Sequence, residues 1–140
     1  MKNDAEQLLL QKNIKVTANR LLVLDLFLQR DYALSLTDIE NELPWADKTT
    51  LFRTLKTFQQ KALLHLIDDG SKAHKYALCS DHCEIDRHLV HPHFHCQNCG
   101  KTLCLTRQDI SVPVLPENYT VQSVSLIVNG LCSTCSSQQL

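Results

Sequence analysis

Four cysteines of this 140-residue chain fall in two matched pairs: Cys96-Gln-Asn-Cys99, followed by Gly100, and Cys132-Ser-Thr-Cys135. Two residues between thiols let both sulfurs turn onto one ion, Gly100 frees the turn, and two such knuckles complete the four-sulfur tetrahedron that zinc takes in closed structural sites. The chain must therefore bring two segments separated by 32 residues around a single metal. That interval exceeds the usual ribbon spacing and predicts strands within it, over 101–105 and over 119–128. Val124, Leu126 and Val128 would share one face of the second strand, and Asn129-Gly130 would turn into the second knuckle. A redox use of Cys-x-x-Cys fits poorly, because two pairs point to a metal and neither is expected at a helix start.

The remaining ligand-type residues are as unevenly placed as these four. All seven Cys and five of the seven His lie at or after position 79, so a core-building half precedes a ligand-rich one. An odd cysteine count, no apolar run of membrane-spanning length and the polar start Met1-Lys2-Asn3-Asp4 favour metal binding over disulfides and predict a cytoplasmic protein. The organisation expected is a domain over 1–80, a hinge over 81–90 and a metal-binding domain over 91–140.

In the first half, Leu21, Leu22, Leu24, Leu26, Phe27 and Leu28 form an apolar helix with Thr17 as its N-cap. Thr37 can cap a short second helix that Pro44 ends, and Asp47 a third over 48–61. Residues 63–68 and 74–78, joined through Asp69-Gly70-Ser71, then read as a β-hairpin. Helices of this length followed by a hairpin describe a winged helix-turn-helix, although a small α+β domain with no nucleic-acid role shares the pattern. The third helix tips the balance. It holds Lys48, Arg53, Lys56 and Lys61 with no acidic residue, inside a chain of net charge -1. Phosphate binding responds to such a local cluster, and Phe52-Arg53 suits base-edge readout with contact to a thymine methyl.

A second ligand group precedes the first knuckle: His88, His91, His93 and His95. On an extended strand His91, His93 and His95 project the same way and can converge on one ion. Cys79, Cys83 and Cys104 are candidate partners, and thiolate with imidazole suits zinc better than magnesium or manganese.

Taken together, three motifs make the chain resemble the ferric uptake regulator superfamily over nearly its whole length. They are Lys15-Val16-Thr17-Ala18-Asn19-Arg20; Thr49-Thr50-Leu51-Phe52-Arg53-Thr54-Leu55; and His91-Pro92-His93-Phe94-His95-Cys96-Gln97-Asn98-Cys99-Gly100-Lys101 with the terminal Cys132 and Cys135. The resemblance implies an α+β fold, with an N-terminal winged helix-turn-helix domain that binds DNA and a small C-terminal α/β dimerisation domain. It also implies a structural zinc on Cys96, Cys99, Cys132 and Cys135, and an exchangeable regulatory metal at the hinge that controls operator binding. Carried over by position, His91 and His93 match the hinge histidines. Cys79 looks like the zinc uptake regulator branch, where a Cys replaces the carboxylate of iron sensors at the place of Ala77. His65 falls where that branch has another ligand, and Cys104 stands where iron and peroxide sensors have a carboxylate. Departures are also visible. Val90, Pro92 and Val124 occupy places of an additional ligand site, Ala33 or a neighbour that of a further histidine, and Phe52 that of a tyrosine. Pro113 and Pro116 interrupt the helix expected after the first knuckle, and the Cys83 loop looks like an insertion.

The function expected is a homodimeric, zinc-responsive repressor of metal-homeostasis genes, with zinc in both sites and operator DNA as partner. Lys15 would approach the minor groove or backbone, Arg20 and Lys56 would contact phosphates, and Thr50, Phe52 and Arg53 would face the major groove. An iron, manganese or peroxide sensor is the alternative within the superfamily. A zinc hydrolase or deaminase is disfavoured: neither His-Glu-x-x-His nor His-x-Glu followed by Pro-Cys-x-x-Cys occurs, and a four-Cys site has no open position. A zinc-ribbon interaction module without DNA binding is the third class.

Overall fold

The aliphatic residues of the first half close around one core built by four helices and a small sheet. The computed structural model describes residues 4–68, 70, 72–78, 89–90, 92–105, 110–111, 113–122 and 124–138, with only the backbone of Leu89, Val90 and Ser111. The chain divides into two compact units, Met1–Cys79 and Ser80–Leu140.

The first unit runs α1 (Asp4–Gln11), α2 (Ala18–Gln29), β1 (Leu34–Ser35), α3 (Leu36–Glu42), α4 (Lys48–Gln60), β2 (Leu64–Ile67) and β3 (Lys75–Leu78). Thr17 caps α2 as its sequence position predicts, its side chain accepting from the Arg20 N–H at 3.3 Å. Asp47 does the same for α4 through Thr50. The cap of α3 is Ser35, not Thr37. Ser35 Oγ accepts from the Asp38 N–H at 3.1 Å while Asp38 Oδ2 accepts from the Ser35 N–H at 2.9 Å, a reciprocal pair that satisfies two helix-terminal donors at once. A Thr37 cap satisfies neither, which is why the helix starts earlier than the threonine suggests.

On α4, Leu51, Leu55 and Phe58 recur at i, i+4 and i+7 and are buried, leaving Phe52, Arg53 and Lys56 on the exposed side. They pack with Leu9, Val23, Leu24, Phe27, Ile39 and Leu64 in one apolar cluster. Strands β2 and β3 pair antiparallel with Leu64 opposite Leu78 and Ile67 opposite Lys75, and β1 adds to the far side of β3, giving the order β1-β3-β2. The hairpin beside the α3–α4 pair makes this a winged helix-turn-helix. An ion pair from Arg30 Nη2 to Glu42 Oε1 at 2.7 Å ties the end of α2 to the end of α3.

The second unit contains β4 (Leu89–Val90), β5 (His93–Cys96), β6 (Thr102–Cys104), β7 (Ile110–Ser111), β8 (Ile127–Gly130) and α5 (Ser133–Ser137). Strand β5 is central in a three-stranded sheet: antiparallel to β6, with His93 opposite Cys104 and His95 opposite Thr102, and parallel to β8, with Cys96 opposite Gly130. Strands β4 and β7 form a separate antiparallel pair. The expected strand over 119–128 is reduced to β8, and Asn129-Gly130 ends that strand instead of forming a turn. A Cβ at Gly130 would lie 3.3 Å from Cε2 of the Phe94 ring, so a larger residue there requires the ring to give by a few tenths of an ångström. Residues 113–122 contain no helix, in line with Pro113 and Pro116.

Removing the Ser35 hydroxyl should cost about 1 kcal/mol, the usual worth of an N-cap. Urea unfolding of Ser35→Ala should show it as a lower midpoint at unchanged slope, and Thr37→Ala should leave the midpoint where it is.

Candidate metal centre and nucleic-acid interface

The first knuckle is shaped by backbone bonds. The Gly100 N–H donates to the Cys96 carbonyl at 3.0 Å, the Cys96 N–H to the Lys101 carbonyl at 2.9 Å, and Gly100 takes φ +80°, a conformation open to glycine at little cost. The Gln97 N–H donates to the Gly130 carbonyl at 2.8 Å, fastening the knuckle to the end of β8 and so to the chain entering the second knuckle. There the Ser136 N–H donates to the Cys132 carbonyl at 2.8 Å, and Cys132 is the N-cap of α5. The expectation that neither pair opens a helix is thus corrected: the second pair does, over a single turn and a half.

The four sulfurs lie within 4.8 Å of one another. Cys99 Sγ and Cys132 Sγ are 3.8 Å apart, against about 3.8 Å between ligands of a regular tetrahedron with zinc–sulfur bonds of about 2.3 Å. Cys96 and Cys135 are buried and Cys99 is exposed. Without a cation the thiols cannot ionise together. Hydrogen bonds from the Cys99 and Cys132 N–H groups overcome burial and hold Cys96 down at about 5. The Cys132 thiol is lowered as well, chiefly by the Cys135 N–H. For Cys135 the Asn98 amide lowers the value, but neighbouring sulfurs, Cys132 foremost, together with burial push it up to about 11. A donor set that is thiolate-rich, closed and short of positive charge fits a divalent zinc ion and leaves no position for substrate.

The candidate regulatory ligands are distributed as follows. His93 and Cys104 are cross-strand partners in β5 and β6, with ligand atoms within 4.8 Å. His65 lies in β2 of the first unit, opposite Ala77. Cys79 and His91 fall outside the described residues, as do His82, Cys83 and His88. His95 sits on the face of β5 that carries His93, and its Nδ1 is 2.9 Å from the Oγ1 of fully buried Thr102; Cys96 is on the opposite face. His95 is therefore held by Thr102.

In the first unit, the segment before α2, the first turn of α2 and one side of α4 enclose a polar concavity of about 280 Å³ lined by Lys15, Thr17, Asn19, Arg20, Thr50, Arg53, Thr54 and Thr57. Three cations and four hydroxyls line it, with no acid. Arg20 Nη1 donates to the Lys15 carbonyl at 2.8 Å, so Arg20 sets the position of Lys15 while its other N–H groups stay available. Lys56 Nζ stands 5.9 Å from the Phe52 ring centroid, a cation–π contact on the exposed side of α4. Lys48, by contrast, is engaged by Glu40 at 3.8 Å. Thr54 and Thr57 were legible as lining residues, since with Thr50 they repeat at i, i+4 and i+7, one helix face. Asn98, which donates to Cys135 Sγ at 3.2 Å, carries no sequence cue.

A winged helix-turn-helix with a cationic concavity, joined in one chain to a closed four-thiol site, defines a metal-dependent DNA-binding regulator. The sequence model of the ferric uptake regulator family matches residues 11–128, and the chain belongs to that family of metal-responsive repressors. It is 27% identical over 139 residues to the ferric uptake regulation protein of Staphylococcus epidermidis, covering 95% of both chains. Its fold is similar to a zinc uptake regulator complexed with zinc and DNA, with TM-score 0.64, 21% identity, and 96% of this chain and 92% of that one covered. It is also similar to the Vibrio cholerae ferric uptake regulator, with TM-score 0.60, 22% identity, and 92% and 100% covered.

Zinc needs every ligand as thiolate, whereas Cys135, at about 11 in the free cluster, keeps its proton at neutral pH. Binding must expel that proton, so acid opposes loading. Chelator competition should show the zinc affinity of the four-Cys site falling steadily from about pH 8 to about pH 6, and a flat profile would contradict the thiolate assignment.

Proposed function

We propose that the protein is a homodimeric, zinc-responsive transcriptional repressor of metal-homeostasis genes, acting in the cytoplasm on double-stranded operator DNA. The observation that carries this proposal is the acid-free concavity of Lys15, Arg20 and Arg53 on the helix-turn-helix of a chain that also builds a four-thiol site. Arg20 and Lys56 contact phosphates and Lys15 the minor groove or backbone. Thr50, Phe52 and Arg53, on or beside the exposed face of α4, enter the major groove.

Zinc on Cys96, Cys99, Cys132 and Cys135 is structural, and a second, exchangeable zinc draws its donors from His65, Cys79, His91, His93 and Cys104. Support for zinc over iron comes from the donor chemistry: Cys104 opposite His93 offers a thiol where a harder ion prefers carboxylate. A homodimer is supported by the second unit's surface. Val114 is 99% and Tyr119 68% exposed, with Leu115, Val121, Val124 and Val128 also open to solvent, apolar side chains that a second copy of the unit would cover. Among the described residues no helix is long and apolar enough to cross a membrane.

Operator affinity measured while zinc is titrated into protein already holding its structural metal should rise by at least tenfold. Arg53→Ala should remove about 1–3 kcal/mol of the specific binding. Equal affinity with the exchangeable site empty and full would sink the sensing role, and a larger response to iron(II) or manganese(II) would assign the protein to that sensing branch instead.

A further inference from the structure

A zinc ion bound by four thiolates carries a net charge of -2, and that excess has to be dispersed by its surroundings. The chain from residue 79 onward offers little positive charge for the purpose, with three Lys or Arg against five Asp or Glu. Hydrogen-bond donors are what remains. The Cys132 N–H donates to Cys96 Sγ at 3.3 Å, a backbone contribution that substitution cannot easily alter. A further directed donor is a side chain: Asn98 Nδ2 reaches Cys135 Sγ, across 37 residues of sequence, at 3.2 Å.

We propose that Asn98 is a positioning residue of the zinc centre, acting through Cys135 to stabilise its thiolate and slow metal loss. The inference rests on the structural zinc proposed above. Its chemistry is specific to the carboxamide. Only the –NH2 end can face a thiolate favourably, because the amide oxygen would set one electron-rich atom against another. Asn98 lies in the first knuckle and Cys135 in the second, so the bond spans the two chain segments that the metal joins. It therefore restrains the second knuckle while a ligand is exchanged. Isosteric Asp in its place would offer no donor and would add a negative charge against the sulfur.

The test uses the full-length protein loaded with zinc, and in parallel with cobalt(II), whose sulfur-to-metal charge-transfer band reports electron density on the thiolates. Transfer of zinc to a chromophoric chelator should be on the order of tenfold faster in Asn98→Ala and faster still in Asn98→Asp, as is usual when a hydrogen bond to a metal ligand is lost. Asn98→Ser, which keeps a shorter donor, should fall between Ala and wild type. Loss of the donor raises the sulfur lone pairs in energy, so the charge-transfer band should move to longer wavelength in Asn98→Ala, a shift that a purely structural role would not produce. Gln97→Ala keeps the Gln97 backbone bond and should behave as wild type. Unchanged release and an unchanged band in all Asn98 variants would overturn the proposal while leaving the structural zinc intact; a wild-type protein that takes up no zinc on its four cysteines would overturn both.

Discussion

Four thiols within 4.8 Å of one another cannot all carry charge unless a cation sits between them, and the second unit depends on how that repulsion is resolved. The large apolar cluster lies entirely in the first unit. Among the described residues, the second unit buries only Pro92, His93, Cys96, Thr102 and Cys135. Among the described residues no aliphatic core is available there to offset the entropy of ordering the chain, a deficit that small domains make up with metals or cross-links. The thiol cluster is consequently the main organising contact of the unit. It fixes the knuckle at the end of β5 against the turn leading into α5, and through the Gln97–Gly130 bond it also holds β8 in register.

This dependence explains which parts of the fold the sequence disclosed. Knuckle spacing is a local property, as are the caps at Thr17 and Asp47 and the hydrophobic repeat on α4, and each has its place in the structure. Long-range pairing is different. The alternation of Val124, Leu126 and Val128 suggests a strand, but alternation supplies no hydrogen-bond partner, and among the described residues the strand runs over Ile127–Gly130, in parallel alignment with β5. Two-residue strands such as Leu34–Ser35 fall below what any periodicity can resolve, and α1, eight residues long, is too short for Ala5 and Leu9, spaced i, i+4 and buried, to establish a period. At the site, donor identity was legible and hydrogen bonding to the donors was not. Nothing in Gln97-Asn98 distinguishes the side chain that reaches Cys135 from the one that does not.

Charge follows the same division between local and global quantities. A net charge of -1 describes no surface that DNA would meet. The concavity beside α4 gathers Lys15, Arg20 and Arg53 without an acid, while Lys48, counted among the cations of that helix, is engaged by Glu40. The effective basic cluster is thus smaller than a count along α4 suggests, and it is completed by Lys15 from the segment before α2 and Arg20 from its first turn. Arg20 has a double part, since by holding the Lys15 carbonyl it fixes the cation next to it. The Phe52 ring likewise holds Lys56 near the exposed face of α4. Both arrangements reduce the side-chain freedom to be lost when a phosphate is bound.

A small basic cluster on each chain has a consequence for control. Each phosphate neutralised adds to the steepness with which affinity falls with salt, so a single unit with a few cations binds weakly at physiological ionic strength. Two units held together turn the second encounter into an intramolecular one, and affinity then rises without any new contact. On the proposed reading, the apolar surface around Val114 and Tyr119 supplies the association and the four-thiol site supplies the order on which that surface rests. The structural metal would then act on DNA binding without touching DNA, by maintaining the dimer. The exchangeable metal need only bias an arrangement already available to that dimer, for which a differential affinity of a few kcal/mol suffices.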